Sequence, residues 1–137
     1  RSYDPANHEF MVKIREAKVN KVADNIPLQT LESGELDAEV LILGWGSTYG
    51  AIRAAVRDLL KEGYSVAHTH LRHIKPFPKN LGDLLKGYKK ILIPELNNGQ
   101  LAKVIRQEFL IDVYQFNKIQ GIPIATSELK TVIRQLF

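Results

Sequence analysis

Cysteine is missing from this 137-residue chain. Its absence excludes disulfides, a thiolate nucleophile and a thiolate-held zinc ion or iron–sulfur cluster on these residues. Long apolar runs are missing too. Nothing approaches the roughly 18 residues a membrane span needs, and the N-terminus has no hydrophobic stretch of the secretory kind. The sequence therefore reads as a soluble, unexported, cytoplasmic protein with no membrane partner. No block of like charge stands out: 19 Lys and Arg against 15 Asp and Glu give a formal net charge of +4. The basic residues are spread along the chain, which argues against nucleic acid as a partner. What is present, 45% hydrophobic and 25% charged residues without repeats or low-complexity tracts, suits one globular domain with one continuous core. The sequence starts at Arg1 without Met and opens polar before a helix, from which we expect a piece of a longer protein.

Asp4-Pro5 pairs a helix cap with a first-turn proline, and Phe10, Ile14 and Ala17 recur at helical spacing. Together they predict a first helix over residues 5–22. Its thin apolar stripe and its cations Lys13, Arg15, Lys18 and Lys21 suit a connecting helix, and equally a solvated surface one. We expect a linker over residues 1–25 and a domain over residues 26–137. From Ile26 the pattern becomes extended, with a segment over residues 26–31, a turn at Ser33-Gly34 and the apolar run Val40-Leu41-Ile42-Leu43, which reads as a buried central strand. Ile52, Ala55, Val56, Leu59 and Leu60 then keep helical spacing, and Gly63 sits where a left-handed helix terminus favours glycine. Further on, the pattern predicts strands over residues 66–71, 91–93 and 113–116. Between and after them it predicts a short helix over residues 80–86 stopped at Gly87, a helix carrying Leu101, Val104, Ile105 and Phe109, and a last helix capped at Thr126 or Ser127 carrying Leu129, Val132, Ile133 and Leu136. Strand and helix alternate from Val40 onward, so the fold class is α/β, a mostly parallel sheet with helices on both faces.

In such a sheet ligands and partners meet the loops at the carboxyl ends of the strands. Those ends here are Gly44-Trp45-Gly46-Ser47, His70-Leu71-Arg72-His73, Glu95-Leu96-Asn97-Asn98-Gly99-Gln100 and Asn117-Lys118-Ile119-Gln120-Gly121. All are rich in hydrogen-bonding groups, as a recognition surface would be, although loops are commonly polar. The turn GWGSTYG invites a dinucleotide reading, because a strand, a glycine turn and a helix N-terminus make an anion site. Its spacing is G-x-G-x-x-x-G, Trp45 stands inside it, and the next strand ends in His70 and Arg72 rather than an acidic residue. His68, His70 and His73 form H-x-H-x-x-H without an Asp or Glu nearby in sequence, which favours packed histidines over a zinc site. There is no nucleophile elbow at Ser47 and no phosphate loop, and Glu95 lacks a second carboxylate at a fixed local spacing.

Four ordered stretches, EVLILGWGSTYGAIRAAV, HTHLRHIKPFPKNL, ILIPELNNGQLAKVIR and VYQFNKIQGIPI, resemble the C-terminal domain of the alpha subunit of 2-oxoacid:ferredoxin oxidoreductases, most closely the 2-oxoglutarate type. The resemblance implies the transketolase C-terminal-domain fold. That fold is a three-layer sandwich with five strands in order 1-3-2-4-5, strand 1 antiparallel, in which residues 26–31 form the edge strand and the Trp45 and Glu95 loops stand side by side. It further implies a whole enzyme that uses thiamine diphosphate, magnesium, an iron–sulfur cluster and coenzyme A, and that passes electrons to ferredoxin. This chain carries no cysteine, and no diphosphate-binding G-D-G, since Leu84 follows Gly82-Asp83. By resemblance it is a non-catalytic domain with no cofactor or metal of its own. Its expected partners are the thiamine-binding beta subunit and the N-terminal domains of its own chain. Interface or ligand candidates are Gly44, Trp45, Gly46, Ser47, His70, Arg72, Glu95, Asn97, Gln100, Asn117 and Lys118. The alternative is a module that seats an anionic cofactor, coenzyme A or a dinucleotide, on the Gly44 turn and the helix start at Gly99. A metalloenzyme built on the histidines is a third reading.

Overall fold

In a computed structural model, residues 24–119 and 121–137 are described. The helix expected over residues 5–22 lies outside them. Five strands, β1 (Leu31–Ser33), β2 (Val40–Trp45), β3 (Val66–Leu71), β4 (Lys90–Glu95) and β5 (Tyr114–Asn117), form one sheet in the order β1-β3-β2-β4-β5. β1 runs antiparallel to β3, and the other pairs are parallel. Three α-helices connect β2 to β5 in turn, α1 (Tyr49–Lys61), α2 (Leu81–Lys86) and α3 (Gln100–Phe109), and α4 (Thr126–Arg134) follows β5.

The strand order follows from apolarity. β2 is an apolar run buried from Val40 to Gly44, and β3 is buried throughout although it carries His68, Thr69 and His70, as strands covered on both faces are. β5, with Tyr114, Gln115 and Asn117 exposed, takes an edge. Alternation along β2 splits the core in two. Val40 and Ile42 point with Val66 and Leu92 toward Ile52, Val56 and Leu59 of α1 and Leu129 and Ile133 of α4. Leu41 and Leu43 point with Ala67, Ile91 and Ile93 toward Leu81 and Leu85 of α2 and Leu101, Ala102 and Ile105 of α3. Each fully buried Leu or Ile contributes on the order of 1.5–3 kcal/mol from removal of apolar surface from water. The result is the expected three-layer sandwich.

Two local expectations need correction. The edge strand is Leu31–Ser33 rather than residues 26–31. Pro27 has no N–H to donate, and the backbone of Gln29 is already satisfied by a side chain: its N–H donates to Asn80 Oδ1 at 2.8 Å, and Asn80 Nδ2 donates to its carbonyl at 3.0 Å. The last helix is capped at Ala125, not Thr126 or Ser127. Glu128, three residues on, reaches back to accept the Ala125 N–H at 2.8 Å, the acidic half of a capping box, while alanine at the cap leaves the hydroxyl half without a side chain.

Candidate functional site

At the carboxyl ends of the strands, β2 and β4 are neighbours, and their terminal residues touch. Trp45 Nε1 donates to Glu95 Oε1 at 3.2 Å. Glu95 is fully buried, and its carboxylate also accepts the N–H groups of Leu101 at 2.8 Å and Ala102 at 3.2 Å. Asn97 Oδ1 accepts from Gly99 at 3.1 Å and Gln100 at 3.3 Å. All the donors of α3's first turn are thus taken by side-chain oxygens of the chain itself. An anionic cofactor has no place at the Gly99 helix start, which weighs against the alternative reading. Gly99 itself has φ +74, and a Cβ there would lie 2.2 Å from Gln115 Oε1, so the loop passes close against β5.

The Gly44 turn is built differently. Gly46 has φ +62, which lets the chain leave β2 and enter a 3-10 turn over Gly46–Thr48 that runs into α1. Thr48 Oγ1 donates to the Trp45 carbonyl at 2.9 Å and closes that turn. A Cβ on Gly44 would meet Ile52 Cδ1 at 2.5 Å and His70 Nδ1 at 2.9 Å, so glycine is required for packing rather than for a ligand. Between the two loops lies a cleft of about 230 Å³ lined by Trp45, Gly46, Ser47, Thr48, Leu96 and Asn97. Gly46 and Ser47 are exposed and Trp45 is half-buried. Asn117 and Lys118 continue this row from β5. The Lys118 N–H donates to the Glu95 carbonyl at 2.8 Å, and its ammonium sits 3.1 Å from Glu128. Gln100 is exposed at the start of α3.

His70 and Arg72 part from this row. His70 lies beside Gly44 in the sheet and is nearly buried. Arg72 turns to the opposite edge and donates to Glu32 Oε1 at 2.7 Å, with its guanidinium 5.7 Å from the centre of the Tyr49 ring. Tyr49 also donates to Glu32 at 3.2 Å and packs edge-on against His70 at 4.9 Å between ring centres. Sequence reasoning missed Glu32 and Tyr49. Only the antiparallel return of β1 brings residue 32 next to residue 72, and no local spacing signals that. His68 is fully buried with no hydrogen-bond partner for either ring nitrogen. Burial, followed by the nearby His70, lowers it from 6.5 to about 4. His70 is also lowered, by burial first and then by Arg72. For Glu32, burial pushes the carboxyl up, but Arg72 and Tyr49 outweigh it and hold it below its ordinary value.

The metal groups implied for a whole enzyme do not fit these residues. The chain has no cysteine, and the described residues include no group of three His, Asp or Glu side chains placed to hold a metal ion. His73 is exposed and does not join His68 and His70 in such a group. Among the described residues no helix is long and apolar enough to cross a membrane.

Several known proteins are similar to this chain in sequence and fold. The profile described as pyruvate:ferredoxin oxidoreductase core domain II matches residues 38–129. The 2-oxoglutarate oxidoreductase subunit KorA of Mycobacterium tuberculosis is 44% identical over 133 residues, covering 97% of this chain and 20% of that protein. Among solved structures, the 2-oxoglutarate:ferredoxin oxidoreductase from Magnetococcus marinus with 2-oxoglutarate, coenzyme A and succinyl-CoA bound superposes with a TM-score of 0.81 at 32% identity, over 98% of this chain and 24% of that one. A split-gene transketolase superposes at 0.59 with 14% identity over 78% of this chain and 41% of that one, a likeness of fold alone. The chain spans about a fifth of the length of the curated relative from Mycobacterium.

Proposed function

The chain belongs to the pyruvate:ferredoxin oxidoreductase core domain II family, and from that premise we propose that it is the non-catalytic C-terminal domain of the alpha subunit of a thiamine-diphosphate-dependent 2-oxoacid:ferredoxin oxidoreductase. In this reading it supports subunit assembly and the surround of the active site from outside, in a cytoplasmic complex. The substrate class is 2-oxoacids, with 2-oxoglutarate favoured by the likeness to KorA. Thiamine diphosphate, magnesium, the iron–sulfur cluster and coenzyme A belong to other parts of that assembly. The partners are the thiamine-binding beta subunit, the preceding domains of the same chain and, for the complex as a whole, ferredoxin.

The observation that carries this reading is the state of Glu95. The most chemically capable group on the strand-end face is buried and saturated by Trp45, Leu101 and Ala102, so it braces a surface instead of serving a reaction. That surface presents Trp45 in a polar surround of Ser47 and Asn97, the composition of a docking face.

Deletion of residues 26–137 from the full alpha subunit is the direct test. The expected result is loss of co-elution with the beta subunit together with loss of 2-oxoacid-dependent ferredoxin reduction. Ser47→Arg, at an exposed position lining the cleft, is expected to weaken co-elution while the alpha subunit stays folded. Unchanged assembly and turnover in both variants would refute the assembly role.

A further inference from the structure

On a different surface, α1 carries Arg53, Arg57 and Lys61 at successive i, i+4 positions, all exposed. None has an acidic partner within 4.0 Å among the described residues, whereas the same helix's Asp58 and Glu62 are paired with Lys130 and Arg134 of α4. Like charges one turn apart repel and weaken a helix, so the row is a cost to α1 unless something supplies the opposite charge. The row walls a groove of about 520 Å³ whose other lining residues are Glu32, Ser33, Tyr49 and Leu60. Glu32, the one carboxylate of that lining, is already held by Arg72 and Tyr49. Leu60 is 37% exposed in the same groove. The floor is β1, the outermost strand of the sheet, with no strand beyond it among the described residues.

We propose that the groove between α1 and β1 is a docking site for an extended acidic segment of a partner protein, laid along β1 with its carboxylates facing Arg53, Arg57 and Lys61. The spacing fits. Successive cations four residues apart on a helix stand roughly 6 Å apart along its axis, and alternate side chains of an extended segment recur at roughly 6.6 Å. A segment with acidic residues at every second position meets each cation in turn, and the intervening side chains face the other way. The chain's own residues 1–23 carry five cations and three carboxylates, the wrong sign for this groove. The inference is independent of the assembly reading, since it concerns another face and is tested on the 137-residue chain alone.

The probe is an alternating Glu–Thr peptide of about eight residues, followed by calorimetry at low salt, with the Gln–Thr peptide and inorganic pyrophosphate as comparisons. Binding of the Glu–Thr peptide but not the Gln–Thr peptide is expected. The pair Arg53→Glu and Arg57→Glu should weaken it about tenfold or more, from two exposed charge contacts turned repulsive. The pair Lys86→Glu and Lys103→Glu makes the same change in net charge on the opposite layer, at exposed sites, and should leave affinity within about twofold. Arg53→Gln with Arg57→Gln keeps good helix formers and should give an intermediate loss with α1 intact by circular dichroism. Absence of peptide binding, equal loss from both charge-reversed pairs, or displacement of the peptide by equimolar pyrophosphate would each overturn the proposal.

Discussion

At Glu95 a single buried carboxylate joins the end of β2, through Trp45, to the first turn of α3, through Leu101 and Ala102. Glu95→Ala leaves three donors facing a void, and each buried donor left without an acceptor costs its desolvation. We expect a loss on the order of 3 kcal/mol, read as a lower urea midpoint at unchanged slope. Glu95→Gln keeps one acceptor but turns an NH₂ toward a donor, so its midpoint should fall between. His68 makes a second prediction. Its folded pKa of about 4 lies below the ordinary 6.5, so the unfolded chain takes up the proton first. Stability is then complete above about pH 6.5 and falls as pH drops toward 4, by roughly 3 kcal/mol. Urea midpoints across that window should fall steeply for the parent and much less for His68→Gln, which retains only the smaller share from His70. Glu32, also lowered, acts in the same direction at more acidic pH.

The edge of the sheet is fixed by side chains as much as by strand pairing. Gln29 Nε2 donates to Thr69 Oγ1 at 2.7 Å and to the His70 carbonyl at 2.8 Å, while Asn80 holds the Gln29 backbone at both its N–H and its carbonyl. Asn80→Ala should therefore speed amide exchange at Gln29 with little effect on β2, at a cost of about 1–2 kcal/mol. The same contacts explain what could be read in advance. α1 was legible because its burial is periodic, and β2 because its apolar run is local and continuous; Val66–Leu71 is a strand over the very residues expected. β1 was misplaced because Asn80 lies 51 residues from Gln29 and no window on the sequence joins them. At the strand ends, the adjacency of Trp45 and Glu95 was legible only through the strand order that the family resemblance implies. The burial of Glu95 was not, because a carboxylate at the end of a strand reads as surface until the helix that needs it is placed above.

Considered whole, the chain is two half-cores sharing one sheet. Leu41 and Leu43 serve one, Val40 and Ile42 the other, so neither can melt without exposing β2. Leu85→Ala in one half and Ile133→Ala in the other should each cost about 2–5 kcal/mol. Each variant should still unfold in one transition with equal calorimetric and van't Hoff enthalpies. A low-temperature shoulder in either variant would show that the halves melt separately. The helix layer of α1 and α4 is latched at its rim by Lys130 and Arg134 to Asp58 and Glu62, exposed pairs that set register more than stability. One feature makes the molecule a detector of its own encounters. The chain has a single tryptophan, half-buried where the β2 and β4 loops meet, so all indole emission comes from that spot. A partner covering the strand-end cleft should shift the emission to the blue as water leaves the ring. A segment bound along α1 and β1, where Trp45 is not part of the lining, should leave the spectrum as it was, and one cuvette would tell the two kinds of partner apart.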